Sequence, residues 1–238
     1  MAGSMKLEDI DVDGAIQETA AEASESLGDT RRGLMKKTAL AGGAMIGGGS
    51  ILGAIVAGEA SAAGKGRPPA SFGKGDIGIL NYALTLEYLE AAFYNEALAF
   101  HKKTNFIKDK QTEVFLKTVV RDENAHVKAL KKVLGSKAVA KPKFDFKGDN
   151  KTEKKFVNAS FIFENEGVHA YSGQAFNIQS PKVLAAALSI VTIEARHASV
   201  IGLIKNARPS SISPDGPFDT PFTAAKVLKD VTSLGYIK

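Results

Sequence analysis

The 238-residue chain contains no cysteine. That absence removes disulfides, thiolate zinc sites, iron–sulfur clusters and cysteine nucleophiles. Any metal must then be held by oxygen and imidazole, a donor set suited to iron, manganese or zinc rather than copper(I). Histidine is scarce too, at four residues. The sequence has no strand-period hairpins and no glycine motif shaped to cradle phosphate. It also has no basic stripe interleaved with aromatics, so nucleic acid is not an expected partner. What remains is a globular composition, 44% hydrophobic, with length for one or two domains.

Three of the four histidines follow a glutamate by three residues: Glu123/His126, Glu166/His169 and Glu194/His197. On a helix, positions i and i+3 share a face, so each pair offers a carboxylate and an imidazole to one point in space. The first pair lies among Leu116, Val119, Val120, Val127 and Leu130, and the third among Ile190, Val191, Ala198 and Ile201. An ionised carboxylate on such an apolar stripe needs something to compensate its charge. A metal would do so.

The N-terminal quarter reads differently. Residues 5 to 29 are acidic and lack aromatics, a composition that does not pack a core. Arg31 and Arg32 then precede a weakly apolar run from Thr38 to Ala57, followed by Ala60-Ser61-Ala62. A charged region, an apolar region and a small-residue cleavage site, in that order, make an export signal. The paired arginines resemble the twin-arginine (Tat) type, which implies the Tat translocase as a partner and a periplasmic or other extracytoplasmic destination. Seven glycines between positions 42 and 58 suit an anchoring helix poorly, so cleavage after Ala62 is expected, leaving no stable membrane span. Of 31 Lys+Arg and 26 Asp+Glu, residues 1–62 hold 5 and 9, leaving 26 and 17 and a net charge of about +9.

The expected organisation is residues 1–62 as extension and signal, 63–75 as a Gly/Pro-rich linker, 76–207 as a helical domain and 208–238 as a strap with a short helix. Within the domain, helical periodicity covers about Asp76–His101 with Asp76 as its cap, Lys108–Leu134, Lys151–Ile178, and a fourth stretch opened by Ser180-Pro181 and running to Ala207. Short connections make antiparallel hairpins of the first and second pairs. Residues 135–150 between the pairs reach roughly 50 Å when extended. That exceeds the ~39 Å of the longest expected helix, so this linker can cross the whole length of a bundle. The fold class is therefore all-α, an antiparallel four-helix bundle with one long crossover.

The two hairpins also repeat. Glu87 precedes Tyr94 by seven residues, and Glu164 precedes Tyr171 by seven. In each half, the following helix supplies Glu-x-x-His. One glutamate from each of two helices and a Glu-x-x-His from each of the others is the ligand set of carboxylate-bridged di-metal bundles. Glu90 shares a face with Glu87 and is either an alternative ligand or an acid one layer out. Glu166 lies about 200° around the helix from Glu164, so the two cannot both face the centre. Asp122 is placed to accept a hydrogen bond from a ligating histidine, whereas its counterpart is Ile193. Tyr94 and Tyr171 either fill space or hydrogen-bond ligand carboxylates.

The stretch Asp76–Glu90, the run 164–171 and Phe218-Asp-Thr-Pro-Phe222 resemble the ferritin-like superfamily. Within it they resemble the desiccation-related and stress-associated group, over about residues 74–238. The resemblance implies two metal ions, iron expected and manganese the alternative. Glu123 and Glu194 would bridge them, with His126 and His197 on one metal each and Glu87 and Glu164 as terminal carboxylates. It further implies redox chemistry on dioxygen, peroxide or ferrous iron, as an oxidase, peroxidase or manganese catalase. The competing expectation is a non-catalytic metal-binding, stress-protective envelope protein. A homo-oligomer stays open.

Overall fold

The computed structural model describes residues 66–238. The expected signal, with Arg31, Arg32 and the cleavage site after Ala62, lies outside the described residues. Four long helices dominate: α1 (Gly75–Thr104), α2 (Lys110–Leu134), α3 (Glu153–Gln174) and α4 (Pro181–Asn206). They are followed by the one-turn α5 (Pro209–Ile212) and by α6 (Ala224–Ser233). No strand occurs among the described residues; a single bridge pairs Phe144 with Ile237.

Local chemistry sets the helix ends. Asp109 caps α2 by accepting from the Thr112 amide at 2.7 Å, so the helix begins two residues later than its periodicity suggests. Ser180 accepts from the Val183 amide and Pro181 occupies the first turn of α4; Ala207, in the left-handed region, ends it before Pro209. The buried positions of α2 (Thr112, Phe115, Leu116, Val119, Glu123, His126, Leu130 and Leu134) recur every three or four residues, the spacing of a single core-facing stripe. Burial on α1 goes nearly all the way round from Gly78 to Phe93, because the crossover covers its outer side.

The expectation for Asp76 needs correction. It does not cap α1, which has no side-chain cap. Its carboxylate instead accepts from the amides of Gln179 and Ser180, at 2.9 and 2.8 Å, in the α3–α4 connection. Glu153, in the first turn of α3, does the same for the α1–α2 connection, accepting from Lys108 and Asp109 at 3.0 and 2.9 Å. Acids in a first turn are favoured by the helix dipole, and here they also satisfy loop amides on the neighbouring hairpin. The third helix differs from expectation as well: it begins at Glu153, after a turn at Gly148–Lys151, and tightens into a 3₁₀ turn over Ala175–Asn177.

The crossover follows α1. At its start the buried Asn81 amide donates to Lys137 O at 3.0 Å and accepts from the Val139 amide at 3.0 Å. At its end Asn150 donates to Glu96 at 3.3 Å. Asn81 and Glu96 are about 22 Å apart along the helix at 1.5 Å per residue. Helices α2 and α3 therefore run parallel, each antiparallel to its hairpin partner. An aromatic cluster locks this arrangement: Phe93 meets Phe146 of the crossover at 5.2 Å and Phe163 of α3 at 5.0 Å, and Phe146 meets Tyr236 at 5.5 Å. The tail is held closely. The Phe222 carbonyl crosses α3 where a β-carbon on Gly173 would lie 1.8 Å from it, so only glycine permits that approach.

Candidate metal centre

Six side chains from the four long helices meet at the middle of the bundle. Glu87, Glu123, Glu164 and Glu194 are buried to within 1% exposure, and His126 and His197 are buried beside them. Donor atoms of Glu87, Glu123, His126 and Glu194 lie within 4.8 Å of one another, as do those of Glu123, Glu164, Glu194 and His197. Glu123 and Glu194 belong to both groups. The arrangement follows from register. Positions on α1 recur on α3 after 77 residues (Asp76 and Glu153, Glu87 and Glu164, Tyr94 and Tyr171). Positions on α2 recur on α4 after 71 (Asp109 and Ser180, Glu123 and Glu194, His126 and His197).

The distances fit ion ligation better than hydrogen bonding. His126 Nδ1 lies 3.0 Å from Glu123, 3.2 Å from Glu87 and 3.2 Å from Glu194. His197 Nδ1 lies 3.2 Å from both Glu123 and Glu164. One ring nitrogen carries at most one N–H and cannot satisfy two or three carboxylates. Ligands at ~2.1 Å from a common octahedral ion, by contrast, sit ~3.0 Å from one another. Glu123 Oε1 and both carboxylate oxygens of Glu194 are buried without a hydrogen-bond partner, the two residues shared by the two groups. Such orphaned acceptors are costly unless something electropositive completes them. The charge of four carboxylates matches that of two divalent ions.

Electrostatics say the same. Burial raises Glu123 to about 7, and burial together with the Glu123 charge raises Glu194 well above the carboxylate range. Burial also opposes charge on both imidazoles. The carboxylates outweigh it, lifting His126 strongly and His197 to about 11. Burial likewise opposes charge on Glu87, but hydrogen bonding and charge from His126, with the Tyr171 hydroxyl, hold that carboxyl below its usual range. Protons therefore balance the cluster, and divalent ions binding there would displace them.

Around these six lies an unequal surround. The tyrosines cross between halves: Tyr94 donates to Glu164, and Tyr171 donates to Glu87 at 2.5 Å. Asp122 accepts from His197 Nε2 at 3.1 Å and is itself gripped by Arg121 at 2.6 and 3.0 Å. Among the described residues His126 has no such carboxylate; the residue equivalent to Asp122 is Ile193. Glu90 is buried among the same carboxylates but lies outside both donor groups. Burial and the charges of Glu194, Glu123, Glu164 and Glu87 raise it well above its usual range. Its counterpart is Gly167, where a β-carbon would come within 3.2 Å of Glu194 Oε2.

The remaining Glu-x-x-His pair lies elsewhere. Glu166 is half-buried, and burial with the Asp230 charge raises it to about 7 although Lys226 opposes this. His169 packs on Phe222 at 4.1 Å and lies 3.8 Å from Asp215, under the strap. Arg121 had no sequence signal beyond its adjacency to Asp122. The contact of Phe115 with the His197 ring, 6.3 Å between centroids, had none either.

Two helical hairpins joined by a full-length crossover, with carboxylates and imidazoles at the waist, define a carboxylate-lined four-helix bundle. Residues 75–206, all four long helices, match the family model described as Ferritin-like domain, and the chain belongs to that family. No curated protein matches it.

Proposed function

We propose that this chain is an exported di-metal protein of the desiccation-related, stress-associated ferritin-like group, with iron as its metal and dioxygen, peroxide or ferrous iron as its substrate. Glu123 and Glu194 would bridge the two ions, His126 and His197 would each hold one, and Glu87 and Glu164 would be terminal. The observation that carries this reading is the pair of four-residue donor groups sharing Glu123 and Glu194. When bound, two adjacent redox-active ions supply an electron pair toward an O–O bond.

The protein's own contribution is to position and protect. Tyr94 and Tyr171 fix the terminal carboxylates from the opposite half. Asp122 fixes the His197 ring with Nδ1 toward the centre, the usual task of an outer carboxylate. Leu86, Leu89, Val119 and Ile201 are buried on the helices that carry these residues. Four converging carboxylates without cations would oppose folding, which also supports a stabilising role in which the ions staple the helices without turnover.

The test is Glu123→Ala, with Glu166→Ala as control. Metal analysis of aerobically purified protein should show two ions in wild type and control, and fewer in Glu123→Ala. Peroxide consumption and ferrous oxidation should disappear with them. Two bound ions without turnover in wild type would favour the stapling role. Undiminished metal content in Glu123→Ala would refute the site.

A further inference from the structure

Beside the metal centre, the structure leaves a groove between α2 and α4, a cavity of about 580 Å³. Its walls are Val114, Phe115, Val200, Leu203 and Ile204. Three of these are large exposed apolar residues: Val114 at 65%, Val200 at 46% and Leu203 at 49%. Helix α4 is unusually apolar, and only a third of its most hydrophobic stretch is buried. His197 and Asp122 are among the residues that line the groove, so it lies one imidazole ring away from the carboxylate cluster. Water and dioxygen need far less room; the volume lies in the range that encloses a small organic molecule.

Charge narrows the occupant. The ionic residues on the groove are Lys110, Arg121, Arg196 and Asp122. Asp122, the sole acid, is already occupied by Arg121 and His197. Lys110 and Arg196 have no ion-pair partner among the described residues. A cation such as ferrous iron would meet repulsion along this route, whereas an anion would meet an unpaired guanidinium beside His197. From Arg196 to Leu203 the apolar wall of α4 runs about 10 Å, the reach of a medium-length alkyl chain.

We infer that this groove binds an amphipathic organic anion, a monocarboxylate with an apolar body, its head on Arg196 beside His197 and its chain along Val200 and Leu203 toward Ile204. The site rests on the groove alone and holds whether or not the metal centre turns over. It adds an organic ligand to a protein whose metal chemistry by itself calls only for small inorganic species.

Decanoate and the uncharged decanol serve as probes, with binding to the full chain followed by calorimetry on metal-free and metal-loaded protein. Decanoate should bind once per chain in both. Arg196→Gln should weaken decanoate about tenfold, the value of one exposed charged hydrogen bond, and leave decanol unchanged. Val200→Asp, at an exposed position, should abolish both while helicity by circular dichroism stays intact. Lys110→Gln, at the far end, should leave the preference for carboxylate intact. The inference is overturned if decanoate shows no saturable binding, or if Arg196→Gln weakens both probes equally. It is also overturned if Lys110→Gln rather than Arg196→Gln removes the carboxylate preference. Conversion of an oligomer to a monomer by Val200→Asp in light scattering would likewise overturn it, because the groove would then be a contact between copies.

Discussion

Asp122→Asn should separate the two proposed metal positions. In the native chain His197 Nε2–H donates to a carboxylate that is 17% exposed and held by Arg121. This fixes both the tautomer and the tilt of the ring. Asparagine keeps the volume and one acceptor oxygen but removes the charge, and its amide can rotate to offer N–H where an acceptor is needed. A charge-assisted hydrogen bond in this setting contributes about 1.5–3 kcal/mol, equivalent to about 10- to 100-fold in metal affinity. The loss should fall on the position next to His197 alone, because Ile193 stands where Asp122 has its counterpart and His126 has no outer carboxylate of that kind among the described residues. Titration of metal-free protein with manganese(II) or cobalt(II) against a chromophoric chelator reads this directly. Wild type should take up two ions with similar affinities, and the variant should split into one unchanged and one weakened step. Arg121→Gln should shift the same step by less, since that side chain is 74% exposed and its ion pair is screened. Equal weakening of both steps, or none, would refute the reasoning.

Glu166→Gln should stabilise the protein at alkaline but not acid pH. The folded carboxyl titrates near 7 against an ordinary 4.5, so the folded state binds the extra proton and stability falls as pH rises from 4.5 through 7. Discounted for partial exposure, the gain at pH 8 is on the order of 1 kcal/mol, or ~2–4 °C in melting temperature, vanishing at pH 4. Gly173→Ala should lower the melting temperature by ~4–8 °C, because its methyl would need the space of the Phe222 carbonyl and the strap would have to lift, at about 2 kcal/mol. Replacing Arg31 and Arg32 by lysine should leave unprocessed precursor inside the cell by fractionation and immunoblot; continued export would point to another route.

Much of the bundle was legible because helical stripes and caps act locally. The stripe on α2 and the Ser180-Pro181 start of α4 need only neighbours in sequence, and the long linker needs only its length. Asp76 shows where this ends. A first-turn acid looks like a cap, but its partner is an amide 103 positions away, chosen by how two hairpins meet. The six converging residues were readable as faces of helices. That Tyr94 serves Glu164 rather than its own Glu87 was not, since a seven-residue spacing gives the face but not the helix opposite. The α2–α4 groove was hidden for a related reason: its wall residues look like ordinary core positions until the packing leaves them uncovered.

The constant offsets between halves also bear on how the site is free to change. A symmetric dimer of a single hairpin, one copy turned on the other, would place both Glu-x-x-His helices and both crossed tyrosines around its axis. Every substitution in it would then appear twice. Carried on one chain, the two halves answer to separate codons, and two pairs of matched positions have parted: Asp122 from Ile193, and Glu90 from Gly167. Each difference places a feature on one side of the axis only, an outer carboxylate for a single imidazole and a buried acid whose counterpart is a glycine packed close against Glu194. A homodimeric ancestor could have had two alike positions or none; a tandem chain can give its two positions different work.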